Sequence, residues 1–397
     1  MRSYQDLFRT PEFTPLFATV SLTGAASTVS GIALGVLVYE TTGSPLLSAL
    51  SMFGGSFAQV VGAVALLSAA DRLRPRAALV ALALVFGAGS AVLAVPGLPL
   101  WGSFAVILLL GLAGSVGGGV RYGLLAEILP KEGYVLGRSV FNMSGGIVQI
   151  CGFGLGGVLV AAVSPRPTLL IAAGFDVLGA VVARYGLSLR PTRATGRPSV
   201  RETWRVNVLL FSSAPRRAVL FALWVPNGLI VGCEALFVPY APERAGLLLA
   251  VAAFGMFTGD VLVGRVVPVA WRARLATPLR LLLAVPYLVF VLRPGMPVVL
   301  VAVAVAVASV GYAASLVLME QLVELTPPDV QGQALGLHTA GMLTMQGVGA
   351  ALAGAVAQYV PAGGAMAVMA GASVLVSVVQ TPGLRRVPGA VVNAAVP

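Results

Sequence analysis

Four ionisable side chains lie inside otherwise apolar stretches of the chain: Arg121, Asp176, Glu234 and Asp260. A charged side chain at the centre of a bilayer costs about 2.5–3.5 kcal/mol on insertion scales, so such residues normally face a partner or a cavity. A carboxyl group that is removed from water also becomes easier to protonate. The three acids are typical of proton coupling, but an internal ion pair or hydrogen bond would also explain each of them. The alternative for Arg121 is that it extends to the inner surface of the membrane or pairs structurally with Glu127.

Neutral polar residues in the same stretches are candidates for contact with a small molecule. Tyr122 follows Arg121 directly, and Asn142 and Gln149 lie in the next apolar stretch. Hydrogen bonding between packed helices is the alternative role for each of them. His338 is the single histidine of the chain, and it is expected either to relay protons or to be buried at a helix interface.

Repeated apolar stretches provide the elements that must position these residues. Charged residues make up only 10% of the chain, compared with about 25% in a typical soluble domain. Because a spanning helix needs about 20 mostly apolar residues, the sequence predicts an all-α membrane protein with twelve transmembrane helices. The predicted helices cover 13–39, 45–70, 77–95, 100–129, 137–163, 167–189, 216–240, 246–267, 275–292, 297–325, 331–359 and 362–380.

A polar stretch in the middle of the chain divides these helices into two sets of six. We expect an N-terminal bundle over 1–189, a cytoplasmic linker over 190–215 that includes a short surface helix, and a C-terminal bundle over 216–397. Short matches in the same order, such as Glu127 to Pro130 with Glu324 to Pro327, indicate that the two sets are pseudo-repeats. Two parallel six-helix repeats are typical of transporters.

The net charge of +11 is explained by where the arginines fall. If the N-terminus is cytoplasmic, nearly all basic residues, Arg280 included, fall inside, and only Arg166, Arg244 and Arg293 fall outside. This bias predicts that both termini are cytoplasmic. The composition is typical of a GC-rich bacterial genome, which predicts a multi-pass protein of the inner membrane. No basic soluble domain suggests a nucleic-acid partner.

Several other classes of function lack the residues that they require. One histidine cannot supply H-E-x-x-H, and the sequence contains neither G-x-S-x-G nor a phosphate-binding G-x-x-x-x-G-K-[ST] loop. Cys151 and Cys233 form neither a disulfide framework nor a metal site. We therefore expect no enzyme activity, no cofactor and no metal. Lipid, protons and a small-molecule substrate are the expected partners of a monomer.

The loop after the second predicted helix reads Asp71-Arg72-Leu73-Arg74-Pro75-Arg76. It resembles the G-x-x-x-D-R-x-G-R-R signature of the major facilitator superfamily, with Asp71, Arg72 and Arg76 at matching positions. The resemblance implies a cytoplasmic gate in which Asp71 caps the start of helix 11. It also implies that Glu127 and Arg138 are a charge pair flanking the loop between helices 4 and 5. A solvated loop that only sets topology is the alternative.

Two further segments are similar to signatures of the same family. Arg121 matches the Arg of the helix 4 signature R-x-x-x-G, with Leu125 in place of the Gly, and the resemblance implies a role in proton coupling. Gly152 to Gly157 is similar to the Gly-rich helix 5 of drug-proton antiporters, with Phe153 in place of the Pro. Close helix packing is the alternative for the second segment.

These observations together predict a secondary active transporter that works by alternating access. Few polar residues lie in the predicted cavity-lining helices, which favours proton-coupled export, by antiport, of an apolar or amphiphilic molecule. Uptake or facilitated transport of a small metabolite is the first alternative. A receptor or assembly factor with the same fold, without transport, is the second.

Overall fold

The computed structural model describes residues 4–65, 73–191, 200–291, 297–327 and 330–385. Within these ranges the regular structure is entirely helical, and twelve helices are long and apolar enough to cross a membrane. Every backbone N–H and C=O inside a bilayer must be bonded within the protein, and a helix achieves this within one segment. The predicted all-α fold with twelve spans is confirmed.

The first six spanning helices, α1–α6, follow the predicted order closely. A short helix, Tyr4–Arg9, precedes them. The bounds are α1 Phe13–Thr42, α2 Pro45–Phe53 continued as Gly55–Ala65, α3 Pro75–Leu93, α4 Leu100–Ile128, α5 Lys131–Val163 and α6 Pro165–Gly186.

The second six, α7–α12, contain more irregular turns. A helix, Val200–Ser212, precedes them and is called the linker helix below. The bounds are α7 Ala214–Ala235 continued as Phe237–Tyr240, α8 Ala245–Val261 continued as a π-helical turn Leu262–Val266, α9 Val269–Ala284 continued as a 3₁₀ segment Val285–Val291, α10 Val298–Glu324 with a 3₁₀ turn at Gly311–Ala313, α11 Gln331–Val356 and α12 Ala362–Arg385.

Prolines begin many of these helices, because a proline at the first turn removes no hydrogen bond that the helix needs. Pro75 and Pro165 are the first residues of α3 and α6, and Pro130 directly precedes α5. The start of α5 therefore lies six residues before the predicted one. Gly137 does not interrupt this helix; a side chain there would collide with Leu129.

The chain forms two compact units. Unit 1 contains residues 1–41, 54–198 and 243–250, and unit 2 contains 42–53, 199–242 and 251–397. Each unit thus includes the beginning of one helix from the other half. In unit 2 the start of α2 packs on α11, and just beyond these helices Gln358 Nε2 donates to Ser44 Oγ at 2.8 Å. In unit 1 Gly246, near the start of α8, lies against Gly157 of α5.

Each unit has its own apolar core. The core of unit 1 joins α1, α3, α4, α5 and α6, with Phe13, Val120 and Phe141 among its members. The core of unit 2 joins α7 to α10 and α12, with Leu220 and Trp224 among its members. The linker helix buries Val206 and Leu210 against Ala334 at the start of α11. The predicted linker thus contains a helix.

Candidate functional site

A cavity of about 330 Å³ lies within unit 1, between α1, α4 and α5. Four of the predicted site residues, Arg121, Tyr122, Asn142 and Gln149, line it together. The other lining residues are Val20, Ser21, Gly24, Ser27, Thr28, Phe141, Ser144, Gly145 and Val148. Polar side chains thus outnumber apolar ones, while apolar atoms form the larger part of the cavity surface.

Tyr122 is the centre of the polar part of this cavity. The guanidinium carbon of Arg121 lies 4.6 Å from the centroid of the Tyr122 ring, and that of Arg138 lies 5.4 Å from it. Tyr122 Oη and Asn142 Oδ1 are 3.2 Å apart, with the hydroxyl donating. A cation over an aromatic face contributes about 0.5–1 kcal/mol at exposed sites. These contacts hold the Tyr122 ring in place, and the guanidinium groups of Arg121 and Arg138 both lie against it.

Contacts at either end of the lining segment of α1 leave the space open between them. Toward the start of α1, Phe13 and Phe17 pack on Phe141 of α5, with ring centroids 5.8 and 6.0 Å apart. Further along, Gly152 meets Thr28 so closely that a side chain at 152 would collide with it. Small residues permit such close approach of helices in a membrane. Between these contacts the side chains of Ser21, Gly24 and Ser27 are too short to fill the gap.

Glu234 of α7 occupies a separate position in unit 2. Its Oε1 accepts a hydrogen bond of 2.9 Å from Tyr312 Oη on α10, and its side chain is half-buried. Among the residues that the structure describes, no arginine or lysine forms an ion pair with it. The carboxyl group is therefore held by a neutral donor, which is compatible with both a charged and a protonated form.

Asp176 and Asp260 do not line the described cavity. Asp176 of α6 is only 3% exposed and lies against Gly87 of α3, and its Oδ1 has no hydrogen-bond partner among the described residues. Asp260 of α8 is exposed, just before the π-helical turn. Their roles in coupling stay predictions.

Three of the five predicted gate residues can be located. Asp71 and Arg72 lie outside the described residues. Arg76 Nη1 donates to Leu187 O at 3.1 Å, which connects the start of α3 to the end of α6. Glu127 forms an ion pair of 3.4 Å with Arg190, while Arg138 lies over Tyr122. Gating by these residues stays a prediction.

Within unit 2, side chains fill the region that corresponds to the cavity of unit 1. Trp224 of α7 packs on Gly341 of α11, and its Nε1 donates to His338 O at 3.0 Å. Gln346 Nε2 donates to Asn227 Oδ1 at 3.2 Å. His338 is buried, and its Nδ1 has no partner within the described ranges. The tryptophan fills space that the shorter residues of α1 leave open.

One buried arginine was not recognised from the sequence. Arg280 was counted among the cytoplasmic residues, but it lies within α9 and is only 1% exposed. Its Nη1 donates to Gln380 Oε1 at 2.9 Å, and its Nη2 donates to Ser377 O at 3.2 Å, both on α12. Its position five residues inside the predicted ninth helix, flanked by Leu279 and Leu281, was the available signal.

Twelve apolar helices and a polar cavity lined by three of them define a polytopic membrane protein that can hold a small molecule. The family model "Major Facilitator Superfamily" matches residues 16–244, more than half of the chain. The chain belongs to this superfamily of transporters. The predicted family and the absence of an enzyme role are thus confirmed, and the chain is a multi-pass secondary transporter. No curated protein sequence matches the chain.

Solved structures with the same fold are distant in sequence. The nucleoside transporter NupG has 13% identity and a TM-score of 0.78, over 94% of this chain and 99% of that one. The peptide transporter POT in complex with sulfate has 14% identity and a TM-score of 0.75, over 98% and 99%. A bacterial homologue of the human lysosomal transporter Spinster has 12% identity and a TM-score of 0.68, over 97% and 96%. At these identities the likeness shows the fold alone.

Proposed function

We propose that this transporter exports a small amphiphilic molecule by proton-coupled alternating access. The observation that carries the proposal is the cavity of unit 1, where residues of α1, α4 and α5 meet around Tyr122. Val20, Phe141 and Val148 offer apolar surface, and Arg121, Asn142 and Gln149 offer polar groups. A concave pocket that combines apolar surface with placed polar groups is suited to a small ligand.

Glu234 is the group that we assign to proton coupling. It accepts one hydrogen bond from Tyr312 and has no cationic partner among the described residues. A carboxyl group in this position is able to exchange a proton without first breaking an ion pair. Asp176 and Asp260 are the other two acids predicted to take part in coupling, and the first is buried against α3.

Topology and cellular location are part of the same proposal. The excess of arginine in alternate loops favours cytoplasmic termini. The composition favours the inner membrane of a bacterium, and a monomer accounts for a cavity built from one unit. Export is favoured over uptake by the apolar part of the lining. The polar part supports uptake of a metabolite as the second candidate.

Proton movement in inside-out vesicles tests this function. Vesicles from cells that make the protein receive a preset pH gradient and then a panel of anionic, neutral and cationic amphiphiles, with vesicles lacking the protein as the blank. We expect at least one compound to collapse the gradient. Glu234→Gln should abolish this response, because an amide cannot bind and release the proton.

Glu243→Gln is the matched control, since it removes the same group from an exposed position in the turn before α8. It should leave the response intact. If Glu234→Gln, Asp176→Asn and Asp260→Asn each retain full coupled proton movement, the assignment of proton coupling to these acids is wrong. If no compound moves protons or crosses the membrane through the protein, the proposed export is wrong.

A further inference from the structure

Arg121 carries a positive charge that no acidic residue of the described chain neutralises. Its Nε is buried without a hydrogen-bond partner among the described residues, and its guanidinium lies over the ring of Tyr122. Glu127, the acid closest to it along α4, forms an ion pair with Arg190 instead. An unpaired charge within a membrane protein is costly and normally marks a site for an ion or substrate.

The surroundings of Arg121 are suited to an anion. None of the described residues that line the cavity is acidic, and six of them besides Tyr122 are neutral polar groups. Ser21, Ser27, Thr28, Asn142, Ser144 and Gln149 make up this set. The guanidinium of Arg138, over the same Tyr122 ring, adds a second positive charge nearby. A concave site lined by one sign of charge concentrates ligands of the opposite sign.

We propose that the molecule bound in this cavity is a small organic anion whose charged group pairs with Arg121. This inference rests on the proposed function and specifies its substrate class. The fork of N–H groups in arginine matches the two oxygens of a carboxylate or phosphate. Asn142 and Gln149 bond the polar atoms next to the anionic group, and Val20 and Phe141 contact the apolar remainder. The volume of about 330 Å³ lies at the lower end for ligand pockets, which favours a molecule of metabolite size.

The sign of the potential in the cavity can be measured without knowing the substrate. Ser27→Cys is introduced on α1 in a Cys151→Ala, Cys233→Ala background, since Ser27 lines the cavity and is exposed. The thiol is treated in purified protein with an anionic methanethiosulfonate (sulfonatoethyl), a cationic one (trimethylammonioethyl) and a neutral one (methyl). We expect the anionic-to-cationic rate ratio to exceed that of a free thiol by about tenfold.

Arg121→Gln should return this ratio to the free-thiol value, and Arg121→Lys should retain most of it. Arg184→Gln is the matched control. Arg184 also belongs to unit 1 and lies over the tyrosine that follows it, with its guanidinium carbon 6.0 Å from the Tyr185 centroid, but it is exposed and does not line the cavity. Arg184→Gln should leave the anionic-to-cationic rate ratio unchanged. A ratio that Arg121→Gln does not alter overturns the proposal.

Protection of the same thiol tests the ligand class. Benzoate, phenyl phosphate, benzamide and benzylamine have similar size and differ in charge, and each is added before the neutral reagent. We expect the two anions to slow modification several-fold more than the amide or the amine, and the preferred anion distinguishes carboxylate from phosphate. Equal protection by all four, or better protection by benzylamine, overturns the anion assignment while the proposed transport stands. A thiol that even the neutral reagent cannot modify overturns both, because solutes would not reach the cavity.

Discussion

Helices α1 and α7 begin the two halves, and corresponding residues on them differ in size. The close contact of Thr28 with Gly152 in unit 1 corresponds to that of Gly228 with Gly349 in unit 2. These pairs give offsets of 200 residues between α1 and α7 and 197 between α5 and α11. At the first offset Gly24 corresponds to Trp224. A glycine thus borders the cavity of unit 1 where an indole packs on Gly341 in unit 2.

The same offsets relate polar residues that have different contacts. Ser27 and Gln149 line the cavity, whereas Asn227 and Gln346 bond to each other at 3.2 Å. An arginine within a helix of each unit shows the same difference in contacts. Arg280 donates to a glutamine and to main-chain carbonyls, and Arg121 has an Nε without a partner among the described residues. Asn227, Gln346 and Arg280 of unit 2 thus bond to other protein groups, whereas Ser27 and Gln149 of unit 1 face the cavity and are available to a ligand.

The largest effect should come from filling the cavity of unit 1. In Gly24→Leu the new side chain projects toward Val148, whose Cγ1 would lie 3.3 Å from the added Cβ. We expect transport to fall about tenfold or more, since single methylenes in a binding pocket already change discrimination by 10–200-fold. Vesicle transport and the thermal unfolding midpoint are measured together.

Gly31→Leu is the control for this substitution. It places the same side chain on α1 at a position where no atom lies within 4 Å of the added Cβ, and Gly31 does not line the cavity. Transport should remain near that of the unsubstituted protein. An equal loss of transport in the two variants would mean that α1 tolerates no large side chain at either position. The loss in Gly24→Leu could then not be attributed to filling of the cavity.

Sequence patterns predicted the spans well because the bilayer dictates them. About 20 apolar residues are required for each crossing, and proline and glycine fall in the gaps. The wrong predictions concern the start of α5 and the location of Arg280, where the local sequence is compatible with two structures. The fifth helix was predicted to begin at residue 137, but α5 begins at Lys131, directly after Pro130. Arg280 was placed among the cytoplasmic charges, because the sequence around it does not show that Gln380 of α12 will accept its hydrogen bond.

The candidate site was predicted in part. Arg121, Tyr122, Asn142 and Gln149 were selected as polar groups at membrane depth, and the structure brings all four to one cavity. The sequence could not show that Asp176 faces α3, or that Trp224 closes the corresponding region of unit 2. Those outcomes depend on which helix faces lie together, and hydropathy does not encode the rotation of one helix against another.

A smaller effect, on stability, is expected from the arginine of unit 2. Gln380→Leu removes the side chain that accepts a hydrogen bond from Arg280 and should lower the free energy of unfolding by about 1–3 kcal/mol. Thermal unfolding in detergent measures the change. Arg280→Met combined with Gln380→Leu should recover part of it, because both partners are then apolar. A double variant less stable than Gln380→Leu alone would contradict the assignment of Arg280 to a purely structural bond.

The smallest effect concerns the two glutamines related by the offset of 197. Gln346→Leu removes the bond to Asn227 and should cost about 0.6 kcal/mol, the average for interhelical hydrogen bonds in a membrane protein. Gln149 lines the cavity, so Gln149→Leu should change the free energy of unfolding by no more than about 0.5 kcal/mol, as substitutions away from packed features do. It should instead weaken the protection by benzoate of the thiol introduced in Ser27→Cys, and Gln346→Leu should not. The opposite pattern, in which Gln149 stabilises the fold and Gln346 affects the ligand, would show that unit 2 holds the binding site.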